Sequence, residues 1–297
     1  MSDQKQGVID HPDGARETHG SGALDVAPLA GAIDEHLLAS SSIAVTPVAP
    51  SETATAPAKA QPEVFDPSQT DFDTVADAYD DSLPHHVMDH YLDKRAEFIR
   101  RHVAPGRTVD VGCGTGVLAA RLSDDGYDVT GVDPFRGMLK YLKQRRPGID
   151  AVHAFGQHLP FADDTFDLSY CVAVMHHVAD PAAVRETVLE MTRVTKPGGH
   201  ILIWDHNPRN PYWPILMKRV PQDTGAERLI PEREFLDALH AGGARPIVVQ
   251  PHSLIPDFAP RRLMPLAIAT ESIVERAPLL NRLCAHNVIL AVKTIQR

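Results

Sequence analysis

Val109-Asp110-Val111-Gly112-Cys113-Gly114-Thr115-Gly116 is the stretch whose reading decides the fold. A short β-rich run, Arg107 to Val111, enters a cluster of three glycines, and a helical pattern from about Val117 to Ser123 leaves it, stopping at Asp124-Asp125-Gly126. The order is strand, tight turn, helix. Glycines let the backbone turn sharply and approach a ligand without a Cβ in the way, and the helix amino terminus behind them offers free N–H groups. The next apolar run, Tyr127 to Val132, closes on Asp133, 21 positions after Gly112, where a carboxylate can accept from both vicinal hydroxyls of a ribose. Together, turn and carboxylate imply a nucleoside ligand.

Working outward, the alternation continues. Pro134 to Arg145 is patterned as a helix begun by proline, Ala151 to Ala154 as a third strand and Phe166 to Val174 as a buried fourth. Ala182 to Val194 is an amphipathic helix closed by Lys196-Pro197-Gly198-Gly199, and His200 to Trp204 makes a fifth strand. A helix near Glu232 to His240 and strands near Ile247 to Val249 and Asn287 to Val292 complete the set. Upstream, Phe72, Val75, Ala76 and Tyr79, then Val87, Tyr91, Phe98 and Ile99, mark two helices before the first strand. The expectation is an α/β fold: a Rossmann-like, mostly parallel, seven-stranded sheet with helices on both faces over residues 71–297. Residues 1–70 hold seven prolines and no aromatic before Phe65, a composition that cannot offset the entropy of ordering, so a disordered tail is expected there.

Charge narrows the partners. The first 70 residues carry three basic and ten acidic side chains, which is −7 of the net −10 and leaves −3 for the rest. A body without a basic stripe does not suit phosphate neutralisation, so a small-molecule acceptor is expected rather than nucleic acid. Cys113, Cys171 and Cys284 form neither a disulfide framework nor a C-x-x-C pair, which points to a reducing cytoplasm. No apolar run is long enough to span a bilayer, and the amino terminus lacks a basic segment leading into an apolar one; a lipid-like acceptor met at a membrane surface stays open.

The glycine spacing selects among nucleoside ligands. This turn is G-x-G-x-G, with its third glycine one residue earlier than in the dinucleotide fingerprint, and Asp110 beside it repels a pyrophosphate while suiting an ammonium or sulfonium. Four blocks then carry a resemblance: Val109 to Gly116; Gly131-Val-Asp-Pro-Phe-Arg-Gly-Met-Leu139; Leu159-Pro-Phe-Ala-Asp-Asp-Thr-Phe-Asp167; and Arg193-Val-Thr-Lys-Pro-Gly-Gly199. Over residues 72 to 205 the chain resembles the class I S-adenosylmethionine-dependent methyltransferases, in particular the small-molecule group that includes the ubiquinone and menaquinone methylating enzymes. The resemblance implies S-adenosyl-L-methionine as cofactor, its methionine portion held by Gly112, Cys113, Gly114, Gly116 and neighbouring backbone, with Asp110 near the amino group and Asp133 on the ribose. It further places Met138 against the adenine and Tyr79 over the cofactor, although both residues also read as packing. Where the family often has Asp ahead of the Leu-Pro-Phe block, this chain has Phe155 and Gly156; a Gly156 backbone N–H is left to reach the adenine.

Displacement at a sulfonium methyl asks for positioning, and for some acceptors a base, for which histidine is suited. His176, in Met175-His176-His177-Val178 after the fourth strand, and His206, just past the fifth, are the candidates. No carboxylate or Cys recurs at ligand spacing around them, so no metal is expected. Cys171 is expected to line the pocket beside the methionine portion. Asn210-Pro211-Tyr212 departs from the Asn-Pro-Pro-Tyr motif of amino-methylating DNA enzymes in lacking a proline and in following the fifth strand; Tyr212 and Trp213 are available for an acceptor pocket. Residues 206–230 and 251–286 are the expected lid. The expected activity is methyl transfer to O, C or N of a small organic acceptor. Two alternatives stand beside it: an NAD(P)-dependent oxidoreductase, and a non-catalytic regulator that keeps the cofactor pocket. The acceptor and the oligomeric state are not legible.

Overall fold

In the computed structural model, which describes residues 71–82, 84–217, 227–256 and 258–295, the strands are β1 (Arg107–Val111), β2 (Asp128–Asp133), β3 (Asp150–His153), β4 (Phe166–Val172), β5 (Thr195–His206), β6 (Ala244–His252) and β7 (His286–Lys293). They form one sheet in the order β3-β2-β1-β4-β5-β7-β6, parallel except that β7 runs antiparallel to both β5 and β6. This is the expected Rossmann-like architecture. The expected tail, residues 1–70, lies outside the described residues.

The helices are α1 (Phe72–Val75), α2 (His85–His102), α3 (Val117–Asp124), α4 (Arg136–Arg145), α5 (Met175–Val178), α6 (Pro181–Val194), α7 (Trp213–Leu216), α8 (Glu232–Ala241) and α9 (Met264–Arg276). Strand alternation sorts the core into two layers. On one face Ile201 and Ile203 meet Val184, Val188 and Met191 of α6 and Phe235 of α8. On the other, Leu202 and Trp204 meet Phe98 and Ile99 of α2 and Leu122 of α3. Each such buried side chain contributes about 1.5–3 kcal/mol relative to exposure.

Local chemistry sets the element ends. Asp180 caps α6 by accepting from the Ala183 N–H at 2.8 Å, with Pro181 at the first helical position. Helix α4 starts two residues later than expected, at Arg136, because the Pro134–Phe135 pair is held extended when the Phe135 N–H donates to Asp133. β4 ends at Val172 rather than Val174, since Ala173 turns the chain at φ 57° toward α5, a one-turn helix to which the residue pattern gave no element. The larger correction is in 251–286, expected as a loop lid: it contains the 13-residue α9.

Candidate functional site

The carboxyl ends of β1, β2, β4 and β5 open onto a cavity of about 860 Å³, where an open α/β sheet holds its ligand. Its donor-side wall is the glycine turn. Gly112 and Cys113 both donate to the Val132 carbonyl, at 2.8 and 3.0 Å, which pins the turn to the end of β2. At Gly112, with φ 78°, an added Cβ would lie 2.5 Å from Val174 Cγ2, so no larger residue fits. Gly114, at φ 52°, faces open space and donates its N–H to Asp133 Oδ2 at 2.9 Å; Phe135 donates to Oδ1 at 2.9 Å. Asp133 is thus aimed by two backbone donors, yet burial still pushes its pKa up to about 6.

Asp110 accepts from the Tyr170 hydroxyl at 2.9 Å and is buried at the end of β1, where loss of water pushes its pKa up to about 7. Across the same cavity Arg95 of α2 makes no hydrogen bond or ion pair among the described residues. Its guanidinium lies 5.7 Å from the Tyr91 ring, its Nε is enclosed without a partner, and burial lowers its pKa. Buried charges are ordinarily paired, and an uncompensated one costs several kcal/mol. Asp110 and the half-buried Arg95 therefore present a carboxyl and a guanidinium without an ion-pair partner to an occupant of the cavity. A pyrophosphate meets a carboxylate here, which weighs against a dinucleotide.

The amino-terminal segment closes this end. Asp73 accepts from the Gly137 N–H at 2.5 Å, Tyr141 donates to Asp77, and Thr115 Oγ1 donates to Asp80 at 2.6 Å, which lays Phe72 and Tyr79 along the cavity. Met138 and Gly156 line it as well, and a Cβ at Gly156 would approach Thr187 Cγ2 to 2.7 Å, a tight cradle beside Ala154 and Phe155. Two expected residues are placed elsewhere. Gly116 does not line the cavity; it precedes α3 and lies against Leu142. Cys171 points to the opposite side of β4 from Tyr170, into the apolar core under α6, and burial raises its thiol pKa far from nucleophilic range. Cys113 does line the cavity, and burial keeps its thiol protonated too.

The acceptor-side wall is built on Asp205, the penultimate residue of β5. Its Oδ2 accepts from the Met175 N–H at 2.7 Å, and its Oδ1 accepts from the His206 N–H at 2.6 Å and pairs with His176 Nδ1 at 2.8 Å. These contacts hold its carboxyl below the usual range despite full burial. The same pairing fixes the His176 tautomer, with the proton on Nδ1 and the lone pair on Nε2. The His206 ring is stacked between His176 (3.8 Å between centroids) and Trp213 (3.6 Å), and burial lowers its pKa well below the usual value. Asn207 and Asn210 donate to the carbonyls of Cys284 and Leu283, at 2.8 and 2.7 Å, which ties the 207–213 turn to the chain before β7. Asn210 also accepts from the Tyr212 N–H at 2.7 Å, so it builds the turn, and Tyr212, Trp213, Ile255, Phe258 and Leu283 form the wall.

His176, Asp205 and His206 each offer a ligand atom within 4.8 Å of the others. Their orientation is poor for a metal. The two imidazoles stack at 23°, so their lone pairs lie in nearly parallel planes 3.8 Å apart between ring centroids, and three donors already occupy Asp205.

Arg95 and Asp205 escaped sequence reasoning. Arg95 had a signal: it falls four residues after Tyr91 and eight after Val87, on the apolar stripe of α2, where a cation is out of place. Asp205 had none beyond its place between a strand and His206.

Residues 109–203 match the family described as "Methyltransferase domain". A demethylmenaquinone methyltransferase of Paenarthrobacter aurescens is 38% identical over 121 residues, 39% of this chain and 47% of that protein, and one of Beutenbergia cavernae is 36% identical over 136 residues, 44% of this chain and 55% of that protein. The chain thus spans about half the length of the curated relatives it matches. Among solved structures, a Thermotoga maritima S-adenosylmethionine-dependent methyltransferase, described as a possible histamine N-methyltransferase, aligns with TM-score 0.56 at 21% identity, covering 75% of this chain and 98% of that one. At that identity the likeness speaks to the fold, and it is the fold of S-adenosylmethionine-dependent methyltransferases. No helix among the described residues is long and apolar enough to cross a membrane.

Proposed function

We propose that the chain transfers a methyl group from S-adenosyl-L-methionine to a small, apolar organic acceptor by direct displacement. The observation that carries this reading is a pair of groups of opposite sign on one cavity beside the glycine turn, the buried Asp110 carboxyl and the half-buried Arg95 guanidinium, which makes no ion pair among the described residues. An amino-acid zwitterion answers both: Asp110 takes the ammonium and Arg95 the carboxylate, with a planar fork suited to it. Asp133 then receives the ribose hydroxyls, while Met138, Phe155 and Gly156 border the base. When bound, the cofactor supplies a methyl group on a positively charged sulfur.

The protein's own work lies in positioning and in proton transfer. The acceptor rests among Tyr212, Trp213, Ile255, Phe258 and Leu283, which favours an apolar molecule of the class named for the matched relatives, a demethylated quinone. His176, held by Asp205, presents Nε2 as the base for a proton leaving the acceptor oxygen or carbon, and the Asp205 carboxylate stabilises the imidazolium that results. His206, depressed by burial and stacked on both faces, orients His176 rather than accepting the proton. Three free thiols accord with a reducing cytoplasm as the place of work.

Incubating the full chain with methyl-labelled cofactor and a lipid-soluble metabolite extract tests the reading. Label should move into an organic-extractable small molecule, and mass spectrometry should identify it. Label that stays in the cofactor, with no cofactor binding by calorimetry, would refute it.

A further inference from the structure

Helix α9 is amphipathic in the wrong sense for a helix that faces water. Its inward side carries Glu271, which accepts from His90 Nε2 at 2.8 Å, Lys94 Nζ at 2.5 Å and the Leu254 N–H at 2.6 Å. One turn on, Glu275 accepts from Lys94 and from the Ser253 N–H at 2.7 Å. At about 100° per residue, Leu266 and Ile273 point opposite to Glu271, and both are 67% exposed. The carboxylates face the protein and the aliphatic side chains face away. The pattern extends beyond the helix: residues 258–283 hold eight of the twelve exposed large hydrophobic side chains among the described residues, including Phe258 and Leu279. Scattered apolar side chains need no explanation, but a concentration of this kind marks an interaction surface.

The charge on this face is as one-sided as its apolarity. Arg261, Arg262, Arg276 and Arg282 are all exposed, while the segment's only acidic side chains are the two inward glutamates. The chain as a whole carries a net charge of −10, so a four-arginine apolar face is a local departure. It is also continuous with the cavity, because Phe258 and Leu283 belong at once to the exposed patch and to the acceptor wall.

We propose that α9 and its flanks dock the protein on an anionic lipid bilayer, the aliphatic face entering the headgroup boundary and the arginines pairing with lipid phosphates. A second copy of the chain is the poorer occupant, since an isologous contact would bring the four-arginine face against the same face of the copy, with like charge on both sides. The proposal rests on the methyltransferase reading for its purpose: an apolar acceptor reaches the cavity from the bilayer past Phe258 and Leu283 without crossing water.

The test is vesicle co-sedimentation of the full chain, which requires neither acceptor nor turnover. Phosphatidylglycerol vesicles should carry the protein down, phosphatidylcholine vesicles much less, and rising salt should release it. Leu266→Asp with Ile273→Asp should weaken partition by about tenfold or more, and Arg262→Ala with Arg276→Ala by about fivefold per arginine on the anionic vesicles. Calorimetric binding of S-adenosylhomocysteine by the double aspartate variant should match wild type, which separates docking from the cofactor site. Protein that stays in solution, or an aspartate variant that sediments as well as wild type, overturns the proposal. So does wild-type dimerisation abolished by the aspartates with no vesicle binding, or vesicle binding that appears only after deletion of residues 1–70.

Discussion

The cavity has two halves built by different rules. The donor half is backbone work: a glycine turn hydrogen-bonded to β2, a carboxylate aimed by two N–H groups, and a flap tied down by Asp73 and Asp80. The acceptor half is side-chain work: an Asp205–His176 pair, a column of stacked rings, and two asparagines knitting 207–213 to 283–284. Backbone geometry binds whatever nucleoside fits it, and it changes little when side chains change. Side-chain walls can be rebuilt by substitution, so the second half is where an acceptor is chosen.

The sharpest way to break this division is at the turn. Gly112→Ala forces a Cβ to within 2.5 Å of Val174 at φ 78°, which the chain can relieve only by moving the turn. Cofactor binding should fall by about 100-fold or more, with the far-ultraviolet circular dichroism retained. If calorimetry finds S-adenosylhomocysteine bound as in wild type, the turn is not the cofactor's seat. The opposite half should give the opposite signature. His176→Ala should lower kcat by about 10²–10⁴-fold and leave cofactor affinity alone, and Asp205→Asn should follow it by upsetting the tautomer. A change confined to cofactor affinity would put the histidine on the wrong side of the divide.

Arg95 sits where the halves meet and is the smaller, more discriminating test. If it reads the cofactor's carboxylate, Arg95→Met should weaken S-adenosylhomocysteine by about 10- to 100-fold while 5′-methylthioadenosine, which has no amino-acid end, binds as before. Equal losses for both ligands would mean the side chain merely supports the fold. Unchanged affinity for both would assign the cation to the acceptor half.

What the residues disclosed follows the same division. Sheet, turn and ribose carboxylate are legible because each is local: a β-rich run, glycines at fixed offsets, an acidic residue at the end of the next strand. Gly116 was read from the glycine block and Cys171 from its place near the end of the fourth strand, and both are placed off the cavity, because a pattern marks a segment while the side of the backbone is set by pleat and packing. The Asp205–His176 pair links residues 29 positions apart through parallel strands and was out of reach of any local pattern. Helix α9 was missed because its apolar residues lie on both of its sides, Met264 inward and Leu266 and Ile273 outward, so no single apolar stripe marks it in the sequence.

The gentlest test uses protons. Asp110 has its pKa raised to about 7 by burial, so in the cofactor-free protein it is largely protonated below that pH. An arriving ammonium favours the carboxylate, and binding must expel the proton when it is present. Affinity is therefore full above about pH 7 and declines as pH falls, by about threefold between roughly pH 7.5 and 6.5. Folding without cofactor runs in the opposite sense: the native state holds more protons than the unfolded chain between the ordinary aspartate pKa and about 7, so stability drops as pH rises through that window, and cofactor restores it. Asp133, raised to about 6, should add a second decline at lower pH through its ribose contacts. The two can be pulled apart with 5′-methylthioadenosine, which keeps the ribose and lacks the ammonium. Its affinity should be flat near pH 7 and fall only near 6, whereas S-adenosylhomocysteine should show both declines and release protons on binding at pH about 6.5. Identical pH profiles for the two ligands would detach Asp110 from the amino group and leave the carboxylate with no role in choosing the cofactor.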